Sequence, residues 1–232
     1  MSQRHPGSRR THQAPDNDPD DLFLAKVLDI GNWARANQQL MTILSVVVVI
    51  AIAGIVYYGR YQATLTEQAA AQLESVHDAI TLQDREGAKN ELITFLERFG
   101  GTPYEGEARL LLGDLYLQTE DPQQARVVLE PLGASPRDPI EFQGAALLGA
   151  AYEHEKRWRD AEEIYLRIAD RSDLDFQIRA ALVSAARIRA DTGNGSGAIE
   201  LYERVLGTFE DTDPQRGLYE MRIEELRTGS QT

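Results

Sequence analysis

The chain has 232 residues, a formal net charge of −13 and no cysteine. Without cysteine it has no disulfide, no thiol nucleophile and no Cys-ligated zinc. Residues 1–39 carry five Lys/Arg and five Asp, so the whole excess of acid lies in the rest of the chain. An acidic domain of this kind argues against binding of nucleic acid or of anionic lipid through that domain.

The N-terminal segment divides into two parts. Residues 1–19 are polar, rich in Pro, Ser and Asp, and have almost nothing to bury, so we predict a disordered tail. In residues 20–38, apolar positions follow a capping Asp20 or Asp21 and lead to Trp33. This pattern predicts a short amphipathic helix that lies on a bilayer surface. A plain continuation of the next helix would explain the same pattern.

Residues 40–58 form a long apolar stretch. These nineteen residues contain no charge, proline, asparagine or glutamine, and eleven of them are Leu, Ile or Val. As a helix the stretch would be about 28 Å long, close to the hydrocarbon thickness of a bilayer. We therefore predict a transmembrane helix. A buried strand of this length would be unusual, and a cleaved signal peptide would have a shorter apolar run nearer to the first residue.

The basic residues around this stretch predict its orientation. Lys26 and Arg35 lie shortly before it, whereas Arg60 is the one basic residue between its end and Arg85. Basic residues favour the cytoplasmic side of a membrane. We therefore expect a cytoplasmic N-terminus and a C-terminal domain, residues 60–232, on the other side.

The C-terminal domain contains a sequence repeat. Four segments share an alanine that is followed four residues later by leucine or tyrosine: Ala88 and Leu92, Ala125 and Leu129, Ala161 and Tyr165, Ala198 and Tyr202. The alanines lie 37, 36 and 37 residues apart. Apolar residues recur every three or four positions throughout, which predicts helices in a repeated arrangement.

Two of the repeats carry a second pattern, in which a glycine lies twelve residues before the alanine. LLGDLY contains Gly113 and Tyr116, and LLGAAY contains Gly149 and Tyr152. Small residues allow two helices to approach closely, and a larger side chain on the second helix fills the space above them. The two patterns together predict a hairpin of two helices that buries its apolar face by stacking on the next hairpin.

The pattern Leu-Gly-x-x-Tyr, followed by alanine and then an aromatic residue or leucine, resembles the tetratricopeptide repeat. The resemblance covers residues 64–210, although Val76 and Ala186 stand where the first and last repeats should have glycine. A segment from Pro214 is expected to form a cap helix. The predicted fold is all-α: a single transmembrane helix, then an α-solenoid of about four helical hairpins, then the cap. A generic helical bundle is the alternative.

No arrangement of catalytic residues accompanies the repeats. His77 and His154 lie in separate repeats and lack metal-ligand partners at the usual spacing. The glycine-rich residues 193–197 have no strand before them and no lysine after them, so a turn explains them better than a phosphate-binding loop. We expect no enzyme, no metal and no cofactor.

A stacked array of hairpins presents a concave face formed by the first helix of each hairpin. The repeat register places six polar candidates for partner binding on that face: Glu107, Asp114, Gln118, Glu153, His154 and Arg187. This mixed and mildly acidic face favours an extended or helical protein segment of basic or neutral character. For each residue, an ordinary exposed polar side chain without a binding role is the alternative.

The order of tail, anchor and repeats resembles the ancillary subunit of the bacterial SecYEG translocon, a YfgM-type family. The resemblance implies a single-pass protein of the inner membrane whose anchor contacts the translocon. Its periplasmic repeats would contact chaperones or exported proteins. A cell-envelope or cell-division adaptor of the periplasmic coordinator type and an anchored receptor with a cytosolic repeat array remain open. We expect neither nucleic acid nor a small-molecule substrate as a partner.

Overall fold

The computed structural model describes Arg35 and residues 37–229, and every regular element in this part of the chain is an α-helix. The helices are α1 (Gln38–Thr81), α2 (Arg85–Phe99), α3 (Glu105–Gln118), α4 (Pro122–Gly133), α5 (Pro139–His154), α6 (Trp158–Arg171), α7 (Asp175–Asp191), α8 (Gly195–Leu206) and α9 (Arg216–Gly229). The expected disordered tail, residues 1–19, and nearly all of the expected amphipathic helix, residues 20–38, lie outside the described residues.

The chain divides into two units, of which the first ends at Arg60 and the second begins at Tyr61. In the first unit, residues 38–60 are all helical and all exposed. The helix to which they belong is long and apolar enough to cross a membrane. The predicted segment 40–58 is therefore a candidate membrane span.

The candidate span and the first helix of the repeats belong to one element. The predicted anchor, residues 40–58, and the start of the repeats lie in α1, which has 44 residues. The helix continues because nothing in the sequence ends it: residues 38–81 contain no proline, and Gly54 and Gly59 each cost a helix interior only about 1 kcal/mol.

The second unit consists of four helical hairpins followed by α9. The C-terminal part of α1 packs against α2 in a shared core cluster, and α3 with α4, α5 with α6 and α7 with α8 form the other three hairpins. From α2 onward each helix packs against the next, and α3 also contacts α5 in the neighbouring hairpin. The predicted all-α solenoid of four hairpins with a cap helix is confirmed.

The turn inside each hairpin repeats one backbone conformation. Positive φ angles between 59° and 85° occur at the same place in all four turns: Gln83, Glu120, Lys156 and Gly193. Glycine alone adopts this conformation without strain. In three hairpins a side-chain oxygen then caps the second helix: Asp84, Asp121 and Asn194. The glycine-rich residues 193–197 are thus a turn and a capped helix start, as predicted.

The predicted small residues lie where paired helices approach most closely. A Cβ atom on Gly113 would overlap the side chain of Leu129, and one on Gly149 would lie 2.6 Å from Cζ of Tyr165. The repeat alanines are fully buried: Ala88, Ala125, Ala161 and Ala198. The hairpin packing that the sequence predicted is therefore present.

We expect Gly113→Ala to destabilise the repeat domain. The added methyl group must displace Leu129, which is itself fully buried, so we expect a loss of about 1–3 kcal/mol in the free energy of unfolding. Urea unfolding of the full chain, followed by circular dichroism, measures this change. Gly217→Ala is the matched control, since Gly217 is also helical and a Cβ there would have no atom within 4 Å. Equal unfolding midpoints for the two variants would contradict the packing described here.

Candidate functional site

The first helices of the hairpins carry all six candidate residues. We call the surface of these helices, which are α1 after Tyr61, α3, α5 and α7, the first-helix face. Glu107, Asp114 and Gln118 belong to α3, Glu153 and His154 end α5, and Arg187 lies on α7. The structure brings some of these side chains into contact and leaves others apart.

Glu107 pairs with a residue of the preceding hairpin. Its Oε1 lies 3.3 Å from Nε2 of His77, and both side chains are partly exposed. The sequence spacing had given His77 no partner, because the two residues are 30 positions apart and meet only when hairpins stack. The contact is an exposed hydrogen bond, which contributes little to stability on its own.

Asp114 and Gln118 interact within α3. The amide nitrogen of Gln118 donates to Oδ2 of Asp114 at 2.7 Å, one helical turn away. His154 is exposed at the end of α5. These three residues stay candidates for partner contact.

Glu153 and Arg187 connect the third and fourth hairpins. Nη2 of Arg187 donates to both carboxylate oxygens of Glu153, at 2.9 Å and 2.7 Å. The hydroxyl of Tyr165 donates to Oε1 of the same carboxylate at 2.8 Å. The Glu153 side chain is only 13% exposed, whereas about half of Arg187 faces solvent. A nearly buried carboxylate therefore fixes an arginine on the first-helix face.

Tyr165 and Arg187 keep their protons at physiological pH. Burial and the hydrogen bond to Glu153 raise the pKa of Tyr165, so its hydroxyl stays protonated and continues to donate. Burial would lower the pKa of Arg187, but the hydrogen bond and the negative charge of Glu153 outweigh it, and the pKa is raised. The cluster thus presents a fixed cation and does not act as a pH switch.

A hollow between α5, α6 and α7 was missed in the sequence. It has a volume of about 250 Å³, and six of its lining residues are two copies of the pattern Phe-Gln-x-x-Ala: Phe142, Gln143 and Ala146 on α5, and Phe176, Gln177 and Ala180 on α7. We call this hollow the Phe-Gln pocket. Tyr165 also lines it, so one tyrosine belongs to both the pocket and the Glu153 cluster.

The signal for this pocket was present in the sequence. FQGAA begins at Phe142 and FQIRA at Phe176, which is 34 residues later. Because the repeat period is 36 or 37 residues, a comparison in the repeat register does not align the two copies. The second copy begins two residues nearer to the start of its helix, since Phe142 is three residues after Pro139 and Phe176 is one residue after Asp175.

No metal site accompanies these features in the part of the chain that the structure describes. Among residues 37–229, no three His, Asp or Glu side chains lie close enough together to hold a metal ion.

We expect the Glu153–Arg187 pair to be coupled more strongly than an exposed pair of the same span. A double-mutant cycle with Glu153→Gln and Arg187→Met should give a coupling of about 1 kcal/mol, because the carboxylate is nearly buried while the arginine remains partly screened. Urea unfolding of the four chains in the cycle measures it.

The control for this cycle is Asp170 with Arg204. That pair also spans 34 residues, at 2.8 Å, but both side chains are exposed. Its cycle with Asp170→Asn and Arg204→Met should give less than about 0.5 kcal/mol. Equal coupling energies in the two cycles would contradict a special role for the buried carboxylate.

Comparisons with known proteins agree with this architecture. A model of the tetratricopeptide repeat-like domain matches residues 32–228. No curated protein sequence matches the chain. The crystal structure of nearly identical TPR-like repeats assigned to a kinesin light chain of Podosopora anserina superposes with a TM-score of 0.56, over 71% of this chain and 88% of that chain, at 18% sequence identity. This likeness shows the fold alone. Because the domain match spans most of its length, the chain belongs to the tetratricopeptide repeat-like domain family.

Proposed function

We propose that this protein is a membrane-anchored scaffold that binds other proteins through its tetratricopeptide-like repeats. More narrowly, we propose that it is an ancillary subunit of the bacterial Sec translocon that assists exported proteins or their chaperones. The narrower proposal is supported by the order of tail, anchor and repeats, which resembles that subunit. It is not an enzyme in this proposal, since stacked hairpins serve as extended binding surfaces.

The exposure of residues 38–60 is the observation that carries the membrane anchor. A soluble protein buries an apolar helix of this length, whereas here every residue of the segment is exposed. Its eleven Leu, Ile and Val residues favour insertion into a bilayer by roughly 0.3–0.6 kcal/mol each. Insertion into a bilayer would therefore remove from water an apolar surface whose exposure to water is unfavourable.

The repeats fit a protein partner better than a small molecule. The Phe-Gln pocket, at about 250 Å³, is smaller than the roughly 300–1,000 Å³ that small-molecule sites usually offer. On α3 the first-helix face is open and polar, with Glu107, Asp114 and Gln118 exposed or half-buried. Such a face suits an extended or helical segment that meets several repeats at once.

The proposed topology has a cytoplasmic N-terminus and periplasmic repeats. Because the chain has no cysteine, single cysteines can report the side of the membrane directly. In intact bacteria, a membrane-impermeant maleimide should label Ser196→Cys, an exposed position of α8, and should not label Ser8→Cys until the membrane is permeabilised. Labelling of Ser8→Cys alone would overturn this topology and would favour an anchored receptor with a cytosolic array.

The proposed translocon contact can be tested by photo-crosslinking. A benzophenone amino acid at Val47 in the candidate span should crosslink to Sec subunits in native membranes. The same probe at Val127 on α4 should not, although both positions are exposed to the same extent. If Val47 yields no Sec component, the narrower proposal fails. Recovery of cell-division proteins instead would favour the envelope adaptor.

A further inference from the structure

We propose that the Phe-Gln pocket receives one large apolar side chain from a protein segment, and that lysine or arginine flanks this side chain. This inference rests on the proposed function of the repeats as a protein-binding surface. It adds the place on the array where the partner is held and the chemistry that selects it.

The size and walls of the pocket set the kind of group that fits. Phe142 and Phe176 stand at the walls, while Ala146 and Ala180 leave a hollow between α5 and α7. A volume of about 250 Å³ is enough for one large side chain and too small for a folded element. The pocket therefore suits an anchoring residue such as leucine or phenylalanine.

Much of the pattern that forms the pocket lies outside the core, although Phe142 packs against the core. Phe176 is 61% exposed, although a phenylalanine is normally buried, and Ala146 and Ala180 are exposed as well. The core of α7 is formed by other residues, such as Leu182 and Ile188. Apolar surface that a fold does not bury marks sites of interaction with other molecules.

Neutral polar groups surround the hollow. Oε1 of Gln177 accepts from the Ser172 hydroxyl at 2.7 Å, which leaves the amide nitrogen of Gln177 as a donor. Within residues 37–229 the side-chain amide of Gln143 has no hydrogen-bond partner. Both glutamines line the pocket, so their amides are available to the main chain of a bound segment. Hydrogen bonds to the main chain of this kind do not depend on the identity of the side chains in the bound segment.

Acidic residues that adjoin Phe176 in the sequence would select the flanks of that segment. Asp173 and Asp175 precede Phe176 at the start of α7, and neither forms an ion pair within the described part of the chain. The basic residues nearest in sequence are directed elsewhere. Arg171 donates to the Ser135 hydroxyl, and Arg179 donates to the carbonyl oxygen of Thr208. The two carboxylates are therefore complementary to a basic flank.

The test uses the full chain in detergent and synthetic peptides labelled with fluorescein. The first peptide has a central Leu-Leu-Phe-Leu block flanked by lysines; others replace the flanks by serine or the block by serine. Fluorescence anisotropy should show binding of the first peptide and none of the peptide without the apolar block. Absence of binding by the first peptide would overturn the proposal.

Variants then locate the site. Phe176→Ser should weaken binding of the lysine-flanked peptide about tenfold, because it removes a wall of the pocket. Ala146→Glu should do the same by filling the hollow with a charge. Val127→Ser is the matched control, since Val127 is 54% exposed on α4. This variant should bind the peptide as the wild type does. Unchanged circular dichroism excludes unfolding, and wild-type affinity of both pocket variants would overturn the proposal.

The charge requirement has its own variant. The double variant Asp173→Asn with Asp175→Asn should bind the lysine-flanked peptide about as weakly as the wild type binds the serine-flanked one, and with less dependence on salt. An unchanged preference for lysine would overturn the basic flank. These results are separate from the crosslinking at Val47, which can support the scaffold even if the pocket proves empty.

Discussion

Close approach of paired helices is the constraint on which this structure depends. Where Gly113 and Gly149 leave no side chain, Leu129 and Tyr165 lie directly against the backbone of the partner helix. The second of these contacts also determines the surface, because the hydroxyl of the same tyrosine donates to Glu153. Because Gly149 has no Cβ, Tyr165 can pack against the backbone there. Its hydroxyl then helps to position Glu153 and Arg187 on the first-helix face.

Several arginines form ion pairs between neighbouring hairpins, and other carboxylates remain exposed. Arg126 pairs with Glu155 between the second and third hairpins at 3.1 Å, and Arg189 pairs with Glu162 on α6 at 2.7 Å. Together with Arg187, these side chains lie between neighbouring helices, where they are partly buried or hydrogen-bonded more than once. The region after residue 39 holds all of the net charge of −13, and no aspartate or glutamate of the described residues is buried. A surface with this excess of carboxylates is electrostatically complementary to the basic segments proposed above.

The sequence predicted the features that depend on residue spacing within a hairpin. It did not predict the contacts that depend on how neighbouring hairpins stack. The repeat alanines and Gly149 identified the hairpins, because close packing permits few residue types at those positions. The sequence placed Glu153 and Arg187 on one face, but not in contact, since their pairing depends on the rotation between hairpins. The Phe-Gln pocket was not predicted because the two copies of its sequence pattern are 34 residues apart, which differs from the repeat period. The sequence did not predict that α1 continues into the repeats, because hydropathy shows where the apolar residues stop and does not show where a helix ends.

The order of contacts along the chain has a consequence for how the protein is made. From α2 onward each helix packs against the next, and α3 with α5 is the one prominent pair in the described part that skips a helix. Contacts this local form rapidly, and an array of this kind can grow one hairpin at a time. Synthesis begins at the end that carries α1, so the earliest hairpin can serve as a template on which each later one settles during translation. The cap α9 follows the fourth hairpin in the chain, so it is made after that hairpin and packs against its second helix.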